Sequence, residues 1–303
     1  SIAGVIDNIN KGSNISTHCF TSIFPNQKID ESSWAKSVVD NTNSVWHTVS
    51  PTSEELIKDL NDLVYTQDLP LLHTSTYAQY RVMKLANQNN IKVLLDGQGG
   101  DELFAGYLPY FSWYWRDLAV NHQWRYLKNE MKSFSSYKEA LIHFGKENIK
   151  QLIDAGRLTS IKKLTDKTLP FYNKDFLSKN FESERKRYKD LPHTLNSMLL
   201  KEFYNTRLKG YLKYEDRCAM RWGVESRTPF ADDIHLIEKV FSIPGVYKIK
   251  NGTTKYLLRE ALHNYLPENI YKRRDKMGYA TPNNRWLYEQ RDALKPFINE
   301  TIK

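Results

Sequence analysis

The stretch LLDGQGGDELFAGY, residues 94–107, decides the fold and carries most of the predicted chemistry. It overlaps the end of Ile91–Leu95 (IKVLL), a run apolar at four of five positions, which predicts a β-strand covered on both faces in a parallel sheet. The three glycines that follow, Gly97, Gly99 and Gly100, let the backbone turn tightly and approach a ligand closely. Backbone amides in such a turn, followed by a helix start, form an anion-binding concavity. The stretch therefore predicts an anion site just beyond a buried strand.

Two acidic residues, Asp101 and Glu102, follow the glycines at the predicted helix start. They can cap the helix, because carboxylates are favoured at the positive end of the helix dipole. They can also hold Mg²⁺ against a polyphosphate, since magnesium binds one or two carboxylates together with phosphate oxygens. The loop matches neither the GxxxxGK[ST] pattern of a P-loop nor the GxGxxG pattern of a dinucleotide site. The residue pattern alone leaves both roles open.

The first hundred residues alternate between predicted helices and strands. Helices are expected at Ile2–Ile9, from Asp30 to about Asn43, after a capping box formed by Thr52 and Glu55, and at Ser75–Gln88; strands are expected at Thr17–Phe24 and Ser44–Val49. This alternation predicts an α/β fold with a doubly wound parallel sheet, whose ligands bind beyond the carboxyl ends of the strands. Residues 108–303 show no convincing strand and are predicted to be mainly helical, with helices at Leu191–Tyr214 and Thr254–Tyr265.

Composition excludes several classes of protein. Of 303 residues, 40% are hydrophobic and 26% charged, which is typical of globular proteins, and no run of 18 apolar residues predicts a membrane span. Cys19 and Cys218 are the only cysteines, so a disulfide framework and a cysteine-ligated zinc site are excluded. A reducing compartment, the cytoplasm, is therefore expected. The eight histidines show no HExxH spacing, and no GxSxG nucleophile motif occurs.

The net charge of +9 is unevenly distributed. Residues 1–100 carry 7 basic and 10 acidic residues, a balance of −3, and residues 101–303 carry 37 and 25, a balance of +12. A basic C-terminal portion suggests a phosphate-bearing ligand or a nucleic acid, and the aromatic cluster in residues 107–137 keeps a nucleic-acid-binding module open as an alternative. The basic runs are short and mixed with acids, as at residues 184–189. We therefore expect small-molecule substrates, with no nucleic-acid or membrane partner.

Four ordered segments resemble the asparagine synthetase family, the amide-forming domain of glutamine-dependent asparagine synthetase. Residues 94–107 resemble its loop motif, and Tyr214–Asp232 (YEDRCAMRWGVESRTPFAD) resembles its Y-E-D-R segment. Asn251–Glu260 (NGTTKYLLRE) and Lys276–Pro282 (KMGYATP) resemble its N-G-x-x-K and K-M-G segments. The resemblance implies an ATP-pyrophosphatase domain of the adenine nucleotide alpha hydrolase-like type. In this family ATP activates the side-chain carboxylate of aspartate as an acyl-adenylate with release of pyrophosphate, and ammonia then attacks to give asparagine.

The resemblance also implies roles for residues around the phosphates. Asp101 corresponds to the Mg²⁺ ligand, with Glu102 as its neighbour in the loop. Gly97 and Gly99 shape the backbone near the phosphates, and Lys255 corresponds to the lysine over them. Charge that builds on the phosphates during adenylation requires such cations.

At the other end of the reaction, the resemblance places Asp216 and Arg217 at the amino-acid side of the cleft, where an arginine can grip a carboxylate in a bidentate way. Ser22, at the end of a strand, falls where the family's backbone flanks adenine. Gln98 stands where asparagine synthetases carry glutamate and β-lactam-forming relatives carry tyrosine. Glutamine can hydrogen-bond an intermediate but cannot act as a base. The carboxylate acceptor is thus left open between aspartate and another acid, as in β-lactam synthetases, peptide cyclases and amidotransferases of polysaccharide pathways.

The domain organisation follows from the same resemblance. We expect an ATP-pyrophosphatase portion at residues 1–107 and a helical portion at 108–303 that completes the site. Ser1–Gly4 (SIAG) resembles the tail of the family's S-G-G-x-D-S-S-x-I-A motif, so the first strand, its phosphate loop and the glutaminase domain are expected upstream of these residues. The 303 residues alone are therefore expected to make asparagine poorly. The sequence does not determine the oligomeric state, and a homodimer stays open.

Overall fold

The computed structural model describes residues 1–13, 15–69, 71, 73–134, 145, 194–275 and 277–301. The basic run at residues 184–189, the start of the predicted helix Leu191–Tyr214, and Lys276 of the K-M-G segment lie outside the described residues. Within the described residues, no helix combines the length and apolar character needed to cross a membrane.

In the described part of the chain, helices dominate and four short strands interrupt them. The helices are α1 (Ile2–Ile9), α2 (Ser32–Asp40), α3 (Ser53–Gln67), α4 (Ser75–Gln88), α5 (Gly100–Phe104), α6 (Tyr110–Val120), α7 (Trp124–Ser133), α8 (Leu195–Tyr204), α9 (Arg207–Arg221), α10 (Pro229–Asp232), α11 (Ile234–Ser242), α12 (Tyr256–Ala261), α13 (Glu268–Lys272), α14 (Asn283–Glu289) and α15 (Arg291–Thr301). Short 3₁₀ helices lie at Gly245–Tyr247 and His263–Tyr265. The strands are β1 (Thr17–Ser22), β2 (Ser44–Val49), β3 (Val93–Leu95) and β4 (Glu225–Arg227).

The strands form two parallel pairs, which confirms the α/β class. β1 pairs with β2 from Thr17 opposite Ser44 to Ser22 opposite Val49, and β3 pairs with β4 from Val93 opposite Glu225. The sequence does not predict β4, because three residues with charged ends show no apolar alternation. The prediction that no strand follows residue 107 is therefore wrong, because β4 lies at Glu225–Arg227.

The described residues group into two compact units, each built from separate stretches of the chain. The first comprises Ser1–Gly99, Arg207–Ile234 and Arg259–Lys303; the second comprises Gly100–Thr206 and His235–Leu258. The expected functional division into residues 1–107 and 108–303 stays a prediction.

The first unit packs α3, α4 and α9 around a shared core. Leu63, Tyr77, Ala86 and Cys218 are completely buried in it. The predicted capping box starts α3: the Thr52 side chain accepts from the backbone N–H of Glu55, and the Glu55 carboxylate accepts from that of Thr52. The predicted bounds of α1, β2 and α4 are confirmed.

The second unit is built around the aromatic cluster. Five consecutive or near-consecutive side chains of α6 are buried there: Tyr110, Phe111, Trp113, Tyr114 and Trp115. Leu195 and Leu199 of α8 pack in the same cluster. The expectation that these aromatic residues pack between helices, rather than form a surface for stacking bases, is confirmed for this set.

Two predicted helices are interrupted. The described part of Leu191–Tyr214 forms two helices, α8 and α9, which are separated at Asn205 and Thr206; short polar side chains there compete with helical hydrogen bonds. The helix predicted to start at Thr254 starts at Tyr256, because Lys255 has a left-handed backbone with φ of 53°.

The expected burial of β3 on both faces is wrong. Val93 is 38% exposed and Leu95 is 46% exposed. Both side chains border a cavity within the first unit instead of packing against another element.

Candidate functional site

The glycine-rich loop in the first unit is held by Asp96, directly after β3. The Asp96 backbone N–H donates to the carbonyl of Arg227 (2.9 Å), which extends the β3–β4 pairing by one bond. The Asp96 carboxylate accepts from the backbone N–H of Gln98 (2.9 Å), as expected for a residue that bonds loop amides. The loop backbone is therefore fixed by its own first side chain.

The two predicted loop glycines in the first unit meet different surroundings. Gly99 has φ of 86°, and a Cβ added there would lie 3.1 Å from Ala231 Cβ and 3.2 Å from the carbonyl carbon of Phe230. Both the backbone conformation and the space therefore require glycine. A Cβ at Gly97 would meet no atom within 4 Å, so that position faces open space. Of these two glycines, only Gly97 has room for a ligand beside its backbone.

A buried carboxyl group, that of Glu215, lies near the partly buried carboxyl group of Asp96 in the loop. Glu215 of α9 is 1% exposed, and its carboxylate accepts from the hydroxyl of Ser226, with the side chain of Gln98 nearby. Burial, followed by the negative charge of nearby Asp96, raises the pKa of Glu215 to about 8. Burial also raises the pKa of Asp96, although the loop amides that it binds oppose this. The pair therefore retains a proton at neutral pH.

Sequence analysis missed Glu215 and selected its neighbours Asp216 and Arg217. A signal was present: Cys218 and Ala219, three and four positions further along α9, are apolar, so helical spacing puts Glu215 on their buried face. The same spacing puts Asp216 on the exposed side, where it lies in the structure.

Ser22 and Gln98 both border a cavity of about 710 Å³. Asp96, Gly97 and Tyr279 border the same cavity, and the Ser22 hydroxyl donates to the Tyr279 hydroxyl (3.0 Å). Tyr279 belongs to the K-M-G segment, so two of the motif segments and β1 meet here. Sequence analysis did not select Tyr279.

The rest of this cavity runs along two strands. All six residues of β1 and all three of β3 border it, together with Ile2 and Ile6 of α1. Successive side chains of a strand point to opposite faces, so a cavity reached by every residue lies along the strand edges. Within the described residues β1 pairs only with β2 and β3 only with β4, so each strand presents a free edge to the cavity.

The structure does not bring Asp216 and Arg217 to this cavity. They border a different, open groove of the first unit with a volume of about 990 Å³. Arg217 Nη1 donates to the carbonyl of Thr66 (3.2 Å), and Nη2 lies 3.8 Å from the carboxylate of Asp68. The expected role of both residues at the amino-acid side of the cleft stays a prediction.

In the second unit, Asp101 and Lys255 meet. Lys255 Nζ lies 2.8 Å from Asp101 Oδ1, and the side chains are 28% and 18% exposed, respectively. The pair joins two motifs that are 154 positions apart in the sequence. Glu102 points elsewhere: it is 1% exposed and its carboxylate accepts from the Tyr107 hydroxyl (3.0 Å). Of the two acidic residues, Asp101 is therefore the accessible one.

An Asn-Gly turn holds Lys255 in place. Asn251 and Gly252 have φ of 51° and 69°, and Lys250 and Thr253 exchange both backbone hydrogen bonds across them (3.1 and 2.9 Å), as in a tight hairpin turn. The buried carboxylate of Glu130 accepts from the backbone N–H groups of Asn251 (3.0 Å) and Gly252 (3.3 Å). The sequence does not indicate this role of Glu130, because nothing in its helix marks it as a hydrogen-bond acceptor for a turn 121 positions away.

Among the described residues, no group of three or more histidine, cysteine, aspartate or glutamate side chains is arranged to hold a metal ion. A protein-only metal cage is thus not found in this part of the chain. Asp101 fits a different mode, in which one accessible carboxylate shares a magnesium ion with phosphate oxygens and water.

Comparison with known proteins gives consistent results. The sequence model of the family described as asparagine synthase matches residues 1–303. Asparagine synthetase [glutamine-hydrolyzing] 1 of Bacillus subtilis is 28% identical over 269 residues, which cover 84% of this chain and 40% of the relative. Amidase chyE of Penicillium rubens is 28% identical over 305 residues (88% and 44%), and a putative asparagine synthetase [glutamine-hydrolyzing] of Mycobacterium bovis is 25% identical over 252 residues (78% and 36%). The chain thus spans less than half the length of these relatives.

Proposed function

The chain belongs to the asparagine synthase family, and on this premise we propose that it is the synthetase domain of an ATP-dependent amide-forming ligase. The proposed reaction joins the side-chain carboxylate of aspartate to AMP, releases pyrophosphate, and transfers ammonia to give asparagine. The observation that carries the proposal is the Asp101–Lys255 pair, 2.8 Å apart, because it joins an acidic group and a cation from the two motifs assigned to the phosphates.

In this proposal the two members of the pair have complementary roles. Lys255 binds phosphate oxygens and stabilises the negative charge that develops as pyrophosphate leaves. Asp101 would hold Mg²⁺, which would supply positive charge to the phosphates and orient them. Gly97 gives the nucleotide access to backbone amides, and Ser22 lies beside adenine. Glu102, bonded to Tyr107, keeps the turn after the glycines in shape.

Gln98 and Glu215, both in the first unit, are assigned to the acyl-transfer step. Gln98 donates a side-chain hydrogen bond to the acyl-adenylate, and the buried Glu215 carboxyl group lies near the Gln98 side chain. Asp216 and Arg217 are proposed to serve the amino-acid substrate; Arg217 would have to exchange Thr66 and Asp68 for a substrate carboxylate.

We also propose that the complete enzyme has the doubly wound ATP-pyrophosphatase sheet. The free edges of β1 and β3 border one cavity, and a parallel strand inserted between them would join the two strand pairs into one sheet. The family resemblance supplies such a strand upstream of Ser1, together with its phosphate loop. Glutamine hydrolysis is assigned to a further domain of the complete enzyme.

A second candidate differs only in the carboxylate substrate. The relatives include Amidase chyE, which matches as large a share of this chain as the asparagine synthetases do, and Gln98 departs from the glutamate of asparagine synthetases. Both observations favour testing acids other than aspartate.

The test is pyrophosphate release by the full-length protein with ATP, Mg²⁺ and ammonia or glutamine, screened over a panel of carboxylic acids, with products identified by mass spectrometry. Aspartate-dependent release with formation of asparagine is expected. Lys255→Met should abolish the signal, whereas Lys209→Met, a matched change at an exposed lysine, should preserve it. Release with another acid and none with aspartate would replace the first candidate by the second. No release with any acid would contradict both, and a salt-dependent gel shift with nucleic acid would then favour the binding-module alternative.

A further inference from the structure

Gly106 lies at the point where Asp101 and Lys255 meet. It follows α5 in a defined helix end: Ala105 has a left-handed backbone with φ of 57°, and the Gly106 N–H donates to the carbonyl of Asp101 (2.8 Å). This pattern is a Schellman motif, which folds the chain back over the last turn of its helix. Because α5 has only five residues, the last turn includes Asp101.

The fold-back leaves no room for a side chain at position 106. A Cβ added to Gly106 would overlap Asp101 Oδ1, and it would lie 2.6 Å from Lys255 Cε and 2.7 Å from Asp101 Cγ. Real Cβ atoms essentially never approach other heavy atoms this closely. The three atoms belong to the two members of the ion pair, and none of them is backbone.

The backbone of Gly106 does not itself require glycine. Its φ lies outside the left-handed range, in contrast to those of Gly99 and Gly252. An alanine at 106 can therefore adopt the same turn, and its methyl group would displace the Asp101 carboxylate and the Lys255 stem.

From this geometry we propose that Gly106 is a positioning residue for the Asp101–Lys255 pair, kept free of a side chain so that the carboxylate and the ammonium group can touch. The proposal rests on the proposed function, because that function assigns the pair to magnesium and the phosphates. The placement of the two side chains can be measured without any nucleotide.

The first measurement is the rate at which an amine-acylating reagent labels Lys255 in the folded full-length protein. Mass spectrometry measures the labelled fraction over time. Gly106→Ala should raise this rate about two- to fivefold, the change that corresponds to losing a partly exposed charge pair. Asp101→Asn should give a similar increase, and adding Gly106→Ala to it should change nothing further. Gly210→Ala is the matched control, because a Cβ at Gly210 in α9 meets no atom within 4 Å, and it should leave the rate unchanged. An unchanged rate in folded Gly106→Ala would overturn the proposal.

A second measurement covers the case in which Gly106→Ala folds poorly. The Asp101→Ala/Lys255→Ala variant lacks all three atoms that the new methyl group would meet. Thermal unfolding should show that Gly106→Ala lowers the melting temperature in the wild-type background and has little effect in this one. An equal loss in both backgrounds would mean that the glycine serves the turn itself, and the proposal would fail.

The outcome is separable from that of the proposed function. Increased labelling of Lys255 without any ATP-dependent pyrophosphate release would uphold the positioning role and refute the ligase assignment. Unchanged labelling of Lys255 in an active Gly106→Ala enzyme would uphold the ligase assignment and refute the positioning role of Gly106.

Discussion

Replacing Glu215 by glutamine should change how the stability of the protein depends on pH. Burial and the charge of Asp96 raise the pKa of Glu215 from 4.5 to about 8 in the folded protein. A raised carboxyl pKa means that the folded state keeps a proton that the unfolded state releases. The stabilisation from this proton is complete below the unfolded pKa and is lost as pH rises through the folded pKa, so the affected window runs from about pH 4.5 to about pH 8.

The size of the effect follows from the shift. The folded and unfolded pKa values of Glu215 differ by about 3.5, which corresponds to at most about 5 kcal/mol of unfolding free energy, at 1.36 kcal/mol for each pH unit. Asp96 shares the same buried environment and relaxes with its neighbour, so about 2–3 kcal/mol is the expected share of Glu215. Glutamine resembles the protonated acid in shape and can still accept from the Ser226 hydroxyl. Glu215→Gln should therefore match the wild type at about pH 5 and exceed its free energy of unfolding by about 2–3 kcal/mol at about pH 8.

Urea unfolding at several pH values across this window measures the difference. Glu225→Gln is the matched control, because the Glu225 side chain is 58% exposed and its loss should leave the pH dependence of stability unchanged. Parallel curves for Glu215→Gln and the wild type would refute the reasoning, since they would show that Glu215 is ionised in the folded protein at neutral pH.

Three further substitutions test the geometry of the loops by thermal unfolding. Gly99→Ala should destabilise the protein by about 2–4 kcal/mol, the sum of a left-handed non-glycine residue and crowding against α10; a neutral result would contradict the described loop. Ala105→Gly should stabilise it by about 1 kcal/mol, because glycine adopts a φ of 57° without strain, and a loss of stability would argue against the Schellman end of α5. Glu130→Gln should cost about 1–3 kcal/mol through weaker bonds to the Asn251 and Gly252 amides, and it should also slow pyrophosphate release; unchanged stability would mean that the turn does not depend on Glu130.

Local signals in the sequence were sufficient for elements that local chemistry determines. The capping box at Thr52 and Glu55 predicted the start of α3, and the spacing of the apolar residues after it predicted that the segment is helical. The need for glycine at position 99 likewise follows from the tight turn that a strand-to-helix loop requires.

Contacts between distant parts of the chain were beyond the sequence patterns. The motif resemblance predicted roles for Asp101 and Lys255, but their 2.8 Å contact depends on the Asn251–Gly252 turn and on Glu130, which lies in another helix. Glu215 was missed because a buried carboxyl group has no sequence signature of its own apart from the helical spacing of its neighbours. The exposure of β3 was missed because a short apolar run looks the same whether or not another strand lies beside it.

The free edges of β1 and β3 have a consequence for handling the protein. An unpaired strand edge offers a row of backbone N–H and C=O groups to any extended chain, including another copy of the same protein. Any form of the protein in which these edges stay uncovered should therefore be prone to aggregate by edge-to-edge pairing, and its light scattering should grow with concentration. A short synthetic peptide with high β-propensity that occupies the cavity should suppress this scattering, which would make colloidal behaviour a practical readout of whether the edges are covered.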